Sequence, residues 1–322
     1  MKIGLDTMGG DFAPKNEVLG AIAVLPELQK GSEIVLFGDE EQIRAVCRDN
    51  GADAAQFQIV HTTEVIDMND HPAKAFLHKP DSSMAAGFKA LSAGMIDGFA
   101  GPGNTGAMMA GIMYTIKPIT GILRPCISCC YPIIDGKWGL LLDVGLNADC
   151  KPENLYQNAI LGSLYAKGAL NEENPRVALL NIGEEASKGN LLTKAAHDMM
   201  SRTKHFNFVG NIESNEMFTG KKADVIVCDG FVGNIVLKMA ESFYRIATRQ
   251  GLNTDFFNML DYEYHGGTPV LGVNAPVIIG HGRSSPKAIK NMILTTEKTI
   301  GAKMVDRVNN IFKEATLRDI ES

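Results

Sequence analysis

The sequence has no apolar run approaching the ~18 residues that a membrane-spanning helix needs. It also has no export signal and no excess of positive charge. It opens on Met-Lys-Ile-Gly-Leu-Asp, which reads as an immediate strand, so a cytoplasmic protein is expected. Lys and Arg number 31 against 37 Asp and Glu, a net charge of −6, which argues against a nucleic-acid binder driven by phosphate neutralisation. With no export signal, the six cysteines are read as reduced thiols. Cys126 and Cys129 have the spacing of a metal-binding pair, but no second Cys or His pair lies nearby in sequence, and a structural zinc site takes four ligands. No metal and no cofactor are expected. The turn after the first strand, Met8-Gly-Gly-Asp11, lacks the Gly-x-Gly-x-x-Gly spacing and no acidic residue ends the second strand in the nucleotide position, so a dinucleotide site is weakly supported. Gly-x-Ser-x-Gly and His-Glu-x-x-His are missing, which leaves a serine-hydrolase elbow and a zinc-protease helix without support. There is no internal repeat, no low-complexity tract and no Pro- or Ser/Gly-rich linker, so residues 1–322 are expected to form one catalytic unit.

What the chain does have is apolar material, at 45% of residues, and 33 glycines. Strand-like runs at 2–6, 33–37, 58–61, 98–100, 140–143, 177–181, 207–209 and 225–228 alternate with helical patterns at 15–29, 83–93, 105–116, 153–168, 188–201, 234–249 and 285–312. Such alternation predicts an α/β protein with a mostly parallel sheet covered by helices. Pro118, Pro125 and Pro132 break the rhythm, and an antiparallel excursion is expected to lead from them into Trp138–Asp143. Thr254–Asn274 reads as irregular.

Five polar, glycine-rich segments sit where apolar runs stop, which is where open α/β sheets build their sites. The first is Asp6-Thr-Met-Gly9-Gly10-Asp11, in which the glycines would let backbone approach a ligand. Asp81-Ser82-Ser83 heads a helix and serves equally as a cap or as an anion contact. Gly103-Asn104-Thr105-Gly106-Ala107 has the composition of a phosphate or oxyanion nest. Asn181-Ile-Gly-Glu184-Glu-Ala-Ser-Lys188-Gly-Asn190 places a lysine at an expected helix start, where the macrodipole opposes it unless it serves an anion. Cys228-Asp229-Gly-Phe-Val-Gly-Asn234 completes the set, and His281 lies in a separate glycine-flanked turn. Each is also explained as turn chemistry. Together they suggest one large anion-holding site.

In order along the chain, DTMGGDFAP (6–14), KPDSSM (79–84), GNTGA (103–107), LLDVGLNADCKPE (141–153), LLNIGEEASKGN (179–190), FVGNIE (208–213), ADVIVCDGFVGNIVLK (223–238) and GVNAPVIIGHG (272–282) resemble the acyl-acyl-carrier-protein:phosphate acyltransferase family. Pro102 replaces the Ala usual before Gly-Asn, and His265 and Thr268 interrupt a usual Tyr-Gly-Gly-Ala-Pro. The resemblance implies a three-layer αβα fold related to isocitrate and isopropylmalate dehydrogenases and to phosphotransacetylases. It implies a homodimer that moves a fatty acyl group between acyl carrier protein and inorganic phosphate. The acyl phosphate product would feed a membrane glycerol 3-phosphate acyltransferase. On this reading Gly103, Asn104, Thr105 and Gly106, with Lys188, hold phosphate or the thioester oxyanion. Asp229 and Asn234 orient the reacting groups, and His281 or phosphate itself protonates the leaving thiolate. Asp6, Gly9, Gly10, Asp11, Ser82, Ser83, Asn181 and Glu184 line the site. The stretch 234–274 holds two apolar groups, Ile235–Ile246 suited to dimer packing and Phe256–Leu260 suited to peripheral membrane contact. Lys287, Lys290, Lys298, Lys303 and Arg307 offer positive charge to an acidic carrier. Two rival classes stay open on residues alone: a dehydrogenase of related fold, and a non-enzymatic carrier-protein binding module.

Overall fold

The computed structural model describes residues 1–314, with side chains as far as Ile311. Its strands are β1 (Lys2–Asp6), β2 (Glu33–Gly38), β3 (Gln58–His61), β4 (Gly98–Gly101), β5 (Cys126–Pro132), β6 (Trp138–Leu142), β7 (Arg176–Leu180), β8 (Asn207–Ile212), β9 (Val225–Val227), β10 (Thr268–Leu271) and β11 (Val277–Ile279). The helices are α1 (Lys15–Val24), α2 (Glu40–Asp49), α3 (Pro72–His78), α4 (Ser83–Ser92), α5 (Thr105–Gly111), α6 (Pro152–Ala169), α7 (Leu191–Ser201), α8 (Gly230–Arg249), α9 (Asp255–Met259), α10 (Tyr262–His265), α11 (Pro286–Gly301) and α12 (Met304–Glu314). The chain is an α/β protein whose contacts group it into two compact units, residues 1–118 with 262–300, and residues 119–261 with the chain from Gly301. The crossing points at 118–119, 261–262 and 300–301 carry no linker composition that would mark them in sequence.

In the first unit the strand order is β3-β2-β1-β4-β11-β10, parallel except for the β10–β11 pair. Strands buried on both faces need continuous apolar runs, and Ile3, Leu5, Ile34, Leu36 and Phe99 supply them. Phe99 meets Phe37 and Phe88 edge-on at 5.8 and 5.1 Å between ring centres. Gly87 makes room for that ring, since a Cβ there would lie 2.1 Å from it.

In the second unit the order is β5-β6-β9-β7-β8. The expected antiparallel excursion is the β5–β6 pair, and the other pairings are parallel. Helix α6 is buried along most of its length, and its Gln157 holds a loop by accepting from Leu123 N–H and donating to the Gly121 carbonyl.

Four expectations about helices are corrected. The helix expected from Lys188 begins at Leu191, because Asn190 caps it by accepting from Thr193 N–H. The helix expected from Asn234 begins at Gly230, capped by Asp229. The single last helix is two, α11 and α12, separated at Ala302–Lys303, where Lys303 takes a φ of 50°. Thr254–Asn274 is not irregular throughout but contains α9, α10 and β10. Helices α2 and α3 went unpredicted, although Asp39 followed by two glutamates is a good start signal for α2. No helix among the described residues is long and apolar enough to cross a membrane.

Candidate active site

In the first unit β1, β4 and β11 are neighbours running the same way, so the turns that follow them meet at one sheet edge. Asp11 N–H donates to the Gly282 carbonyl at 2.8 Å, and Gly280 N–H to the Gly101 carbonyl at 2.9 Å. Gly9 and Gly103 pack backbone to backbone, and a Cβ on Gly9 would stand 2.7 Å from the Gly103 Cα. These glycines therefore approach one another.

Asp6 lies beneath them, fully buried. Its Oδ1 accepts from Ser83 Oγ at 2.7 Å and from Met8 N–H, while Oδ2 has no partner. Burial holds its carboxyl above the usual range, against the opposing effect of those bonds. Glu17 of α1 is 1% exposed, its Oε2 also lacks a partner, and its Oε1 would be 2.2 Å from a Cβ on Gly10. Burial, with the charges of Asp6 and Asp11 adding to it, pushes its pKa up to about 8. Sequence reasoning missed Glu17, although Gly20, Ala21 and Val24 follow it at core spacing and are buried with it.

Asn104 does not present its amide to a ligand. Its Nδ2 donates to the carbonyls of Asp67, Met68 and Asp70, and its Oδ1 caps α5 at Ala107 N–H. Gly106 has Pro72 where a Cβ would go, and Thr105 is exposed beside it. Ser82 caps α4 through Ala85 N–H. Asp11 is 3.9 Å from Arg283 Nε. His281 is exposed, lies against the Tyr262 ring at 5.1 Å, and accepts on Nδ1 from Arg283 N–H. In a neutral ring the proton then sits on Nε2, which becomes the donor.

In the second unit the carboxyl ends of β6, β7 and β9 converge in the same fashion. Asp143, buried and just past β6, accepts five hydrogen bonds: from the N–H groups of Ile127, Gly145, Leu146 and Asn147, and from Asn147 Nδ2. The turn it gathers supports the start of α8. Gly230 N–H donates to the Asn147 carbonyl and Asn234 Nδ2 to the Val144 carbonyl. Asp229 Oδ1 accepts from Val232 N–H, so this carboxylate is first a helix cap. Asn181 accepts from Ile182 N–H and donates to the Lys188 carbonyl. Glu184 forms an ion pair with Lys222 at 2.6 Å, which holds its carboxyl below the ordinary range. Lys188 is exposed, and its ammonium makes no hydrogen bond or ion pair among the described residues.

A cleft of about 540 Å³ opens between these turns and α6–α8. Asn181, Asn190, Thr193, Ser214 and Asp229 line it together with aliphatic side chains. Sequence reasoning singled out Asn181 and Asp229 but not Thr193, Ser214 or the aliphatic lining. Cys228 is its one sulfur, 3% exposed, with burial pushing the thiol well above its ordinary range. Among the described residues no three or more His, Cys, Asp or Glu side chains are grouped to hold a metal ion.

A family model described as "Fatty acid synthesis protein" matches residues 1–307. A phosphate acyltransferase of Dictyoglomus turgidum is 41% identical, covering 97% of this chain and 98% of its own. One of Acetivibrio thermocellus is 40% identical over 100% and 99%. Among solved structures, a phosphotransacetylase from Streptococcus pyogenes aligns with a TM-score of 0.66 at 20% identity, covering 93% of this chain and 94% of its own. The EutD phosphotransacetylase from Staphylococcus aureus aligns at 0.65 and 15%, with the same coverage. At these identities the solved structures establish the fold.

Proposed function

We propose, from the premise that the chain belongs to the phosphate acyltransferase family, that it transfers a fatty acyl group reversibly from acyl carrier protein to inorganic phosphate. A phosphate oxygen attacks the thioester carbonyl, the new C–O bond forms as the C–S bond breaks, and the leaving thiolate takes a proton. The products are acyl phosphate and free carrier, and the acyl phosphate serves acylation of glycerol 3-phosphate by a membrane enzyme.

The observation that supports direct attack over an acyl-cysteine is the placement of Cys228, 3% exposed with its Sγ turned to the Asp143 carbonyl. The one thiol in the cleft is buried and held protonated by its surroundings, and a protonated thiol is a poor nucleophile. Phosphate is already anionic near neutral pH and needs aiming more than deprotonation. Lys188 is the exposed cation of the second unit's turn. In the first unit Thr105 and the Gly106 N–H are the groups left for an anion, Asn104 being spent on its loop. His281, with Nδ1 already accepting, has Nε2–H to offer the leaving thiolate. Asp229 and Asn234 act by fixing the start of α8.

Long-chain acyl-carrier protein incubated with and without inorganic phosphate, with acyl phosphate trapped as its hydroxamate, tests the reaction. Hydroxamate formed only with phosphate is expected. Retained carrier without product would favour the binding-module reading. In the same assay Lys188→Ala is expected to lower turnover at least about tenfold, the order of one lost charge contact in a transition state. Its melting temperature should match the parent's, since the side chain is exposed; normal turnover would remove Lys188 from the scheme.

Dimerisation belongs to the same proposal. Phe231, Ile235, Met239, Phe243 and Ile246 of α8 are large, exposed and on one helical face. Met239, 57% exposed at the middle of the stripe, is the place to test it. Met239→Asp is expected to shift the protein from dimer to monomer in sedimentation, and an unchanged sedimentation coefficient would refute this face. The second apolar group is more enclosed: Phe256 packs edge-on against Phe218, and Leu260 is buried. Cytoplasmic location with peripheral membrane contact completes the proposal.

A further inference from the structure

The reaction names an acyl chain, but the polar groups described so far do not say where that chain lies. The cleft of the second unit has the chemistry for it. Its deepest lining is Leu155, Leu180 and Cys228, all buried. Val232 and Val236 of α8 form a side, and Ile182 stands at the margin, 81% exposed. No Lys, Arg or His lines it, and Asp229 is its only charged residue. A phosphate or any other anion placed among these lining residues would face that carboxylate, while Lys188, the cation proposed to hold phosphate, is next to the lining residue Gly189 and not itself part of the lining. A neutral hydrocarbon meets no such repulsion and can lie along the aliphatic side of the cleft, away from Asn190, Thr193 and Ser214, and a volume of about 540 Å³ is in the range that ligand pockets occupy. Two exposed apolar side chains are sequence neighbours of lining residues. Leu191, next to the lining residue Asn190, is 89% exposed, and Phe231 flanks Val232.

We propose that this cleft is the acyl-chain subsite. The chain enters methyl end first over Ile182 and lies against Leu180, Cys228 and Val236, because a carrier protein attached at the thioester end cannot follow it in. The inference rests on the phosphate acyltransferase reading above. Each methylene withdrawn from water strengthens binding by about fourfold when fully buried, so the subsite makes the enzyme favour long donors.

The test compares hexadecanoyl- and butanoyl-carrier protein as donors, with phosphate and hydroxamate trapping, and takes the ratio of their kcat/KM values. Val236→Phe extends a half-buried wall residue into the cleft, and the ratio is expected to fall at least about tenfold. Ile182→Ser removes the exposed margin contact without disturbing packing and is expected to lower the ratio about threefold or more. The second variant keeps the test decisive if the first folds poorly. A parental ratio in Ile182→Ser and in folded Val236→Phe overturns the subsite while leaving the reaction in place. An unchanged ratio with altered sedimentation overturns it in favour of a margin covered by a second copy. No phosphate-dependent product from the unmutated enzyme with either donor overturns the acyltransferase reading and the subsite with it.

Discussion

Asp143→Ala is expected to leave little folded protein, or to lower the melting temperature by more than about 10 °C. The carboxylate is buried and accepts five hydrogen bonds, four of them from backbone N–H groups that have nowhere to move. An unsatisfied buried donor costs about 1–3 kcal/mol. Two such donors left unpaired would remove a large share of the ~5–15 kcal/mol that holds a typical domain. The loss would also reach the cleft, since the turn supports Gly230 and Asn234 at the start of α8. Asp143→Asn should be intermediate. It keeps one acceptor oxygen, but turns an NH2 group toward donors. Thermal melts of both variants check this; an Ala variant within about 2 °C of the parent would show that the turn holds without its carboxylate.

Glu17→Gln is expected to flatten the pH dependence of stability. The carboxyl titrates near 4.5 in the ordinary state and at about 8 in the fold. Below the lower value both states hold the proton. Between the two the folded protein keeps a proton that the unfolded chain has released, so wild-type stability falls as pH rises through the window. A pKa difference of this size corresponds to on the order of 4 kcal/mol by pH 8. The raised Asp6 carboxyl acts in the same direction and leaves a residual slope in the variant. Melting temperatures at pH 5, 6, 7 and 8 should therefore diverge, with the Glu17→Gln variant gaining on the parent at each step. A constant offset across the series would mean that Glu17 is ionised in the fold. This pair of carboxyls also predicts that activity measured above pH 8 will suffer from lost structure as well as from chemistry.

The alternation of strands and helices was legible because a parallel strand buried on both faces has few other compositions open to it. The antiparallel β5–β6 pair announced itself through proline spacing. Helix boundaries were less legible. Lys188 reads as a helix start only until Asn190 is seen to have the better cap, and Lys303 gives no sign in sequence that it will leave helical geometry. For the site, the motifs did mark the turns that converge at the sheet edges, but composition could not say which polar groups stay free. Asn104 in a glycine-rich turn has the residue type of an anion donor, and three carbonyls from a distant loop take its amide. Gly9 and Gly103 have the signature of ligand approach, and they make space for each other. The cleft walls come from α6, β7, α7 and α8, and their common surface is a tertiary fact with no local signal.

The division of the first unit along the chain has a consequence for its birth on the ribosome. Strand β4 ends at Gly101, while its neighbour β11 begins at Val277, after the body of the second unit has been made. At a synthesis rate of ~5–20 residues per second the edge of β4 waits roughly 10–35 s for its partner. During that interval Phe99 and Ala100 present an apolar strand with open backbone groups, the arrangement that recruits wrong partners. Nascent chains stalled before residue 277 should therefore be the ones that ribosome-associated chaperones hold, and release should coincide with the emergence of Val277–Ile279.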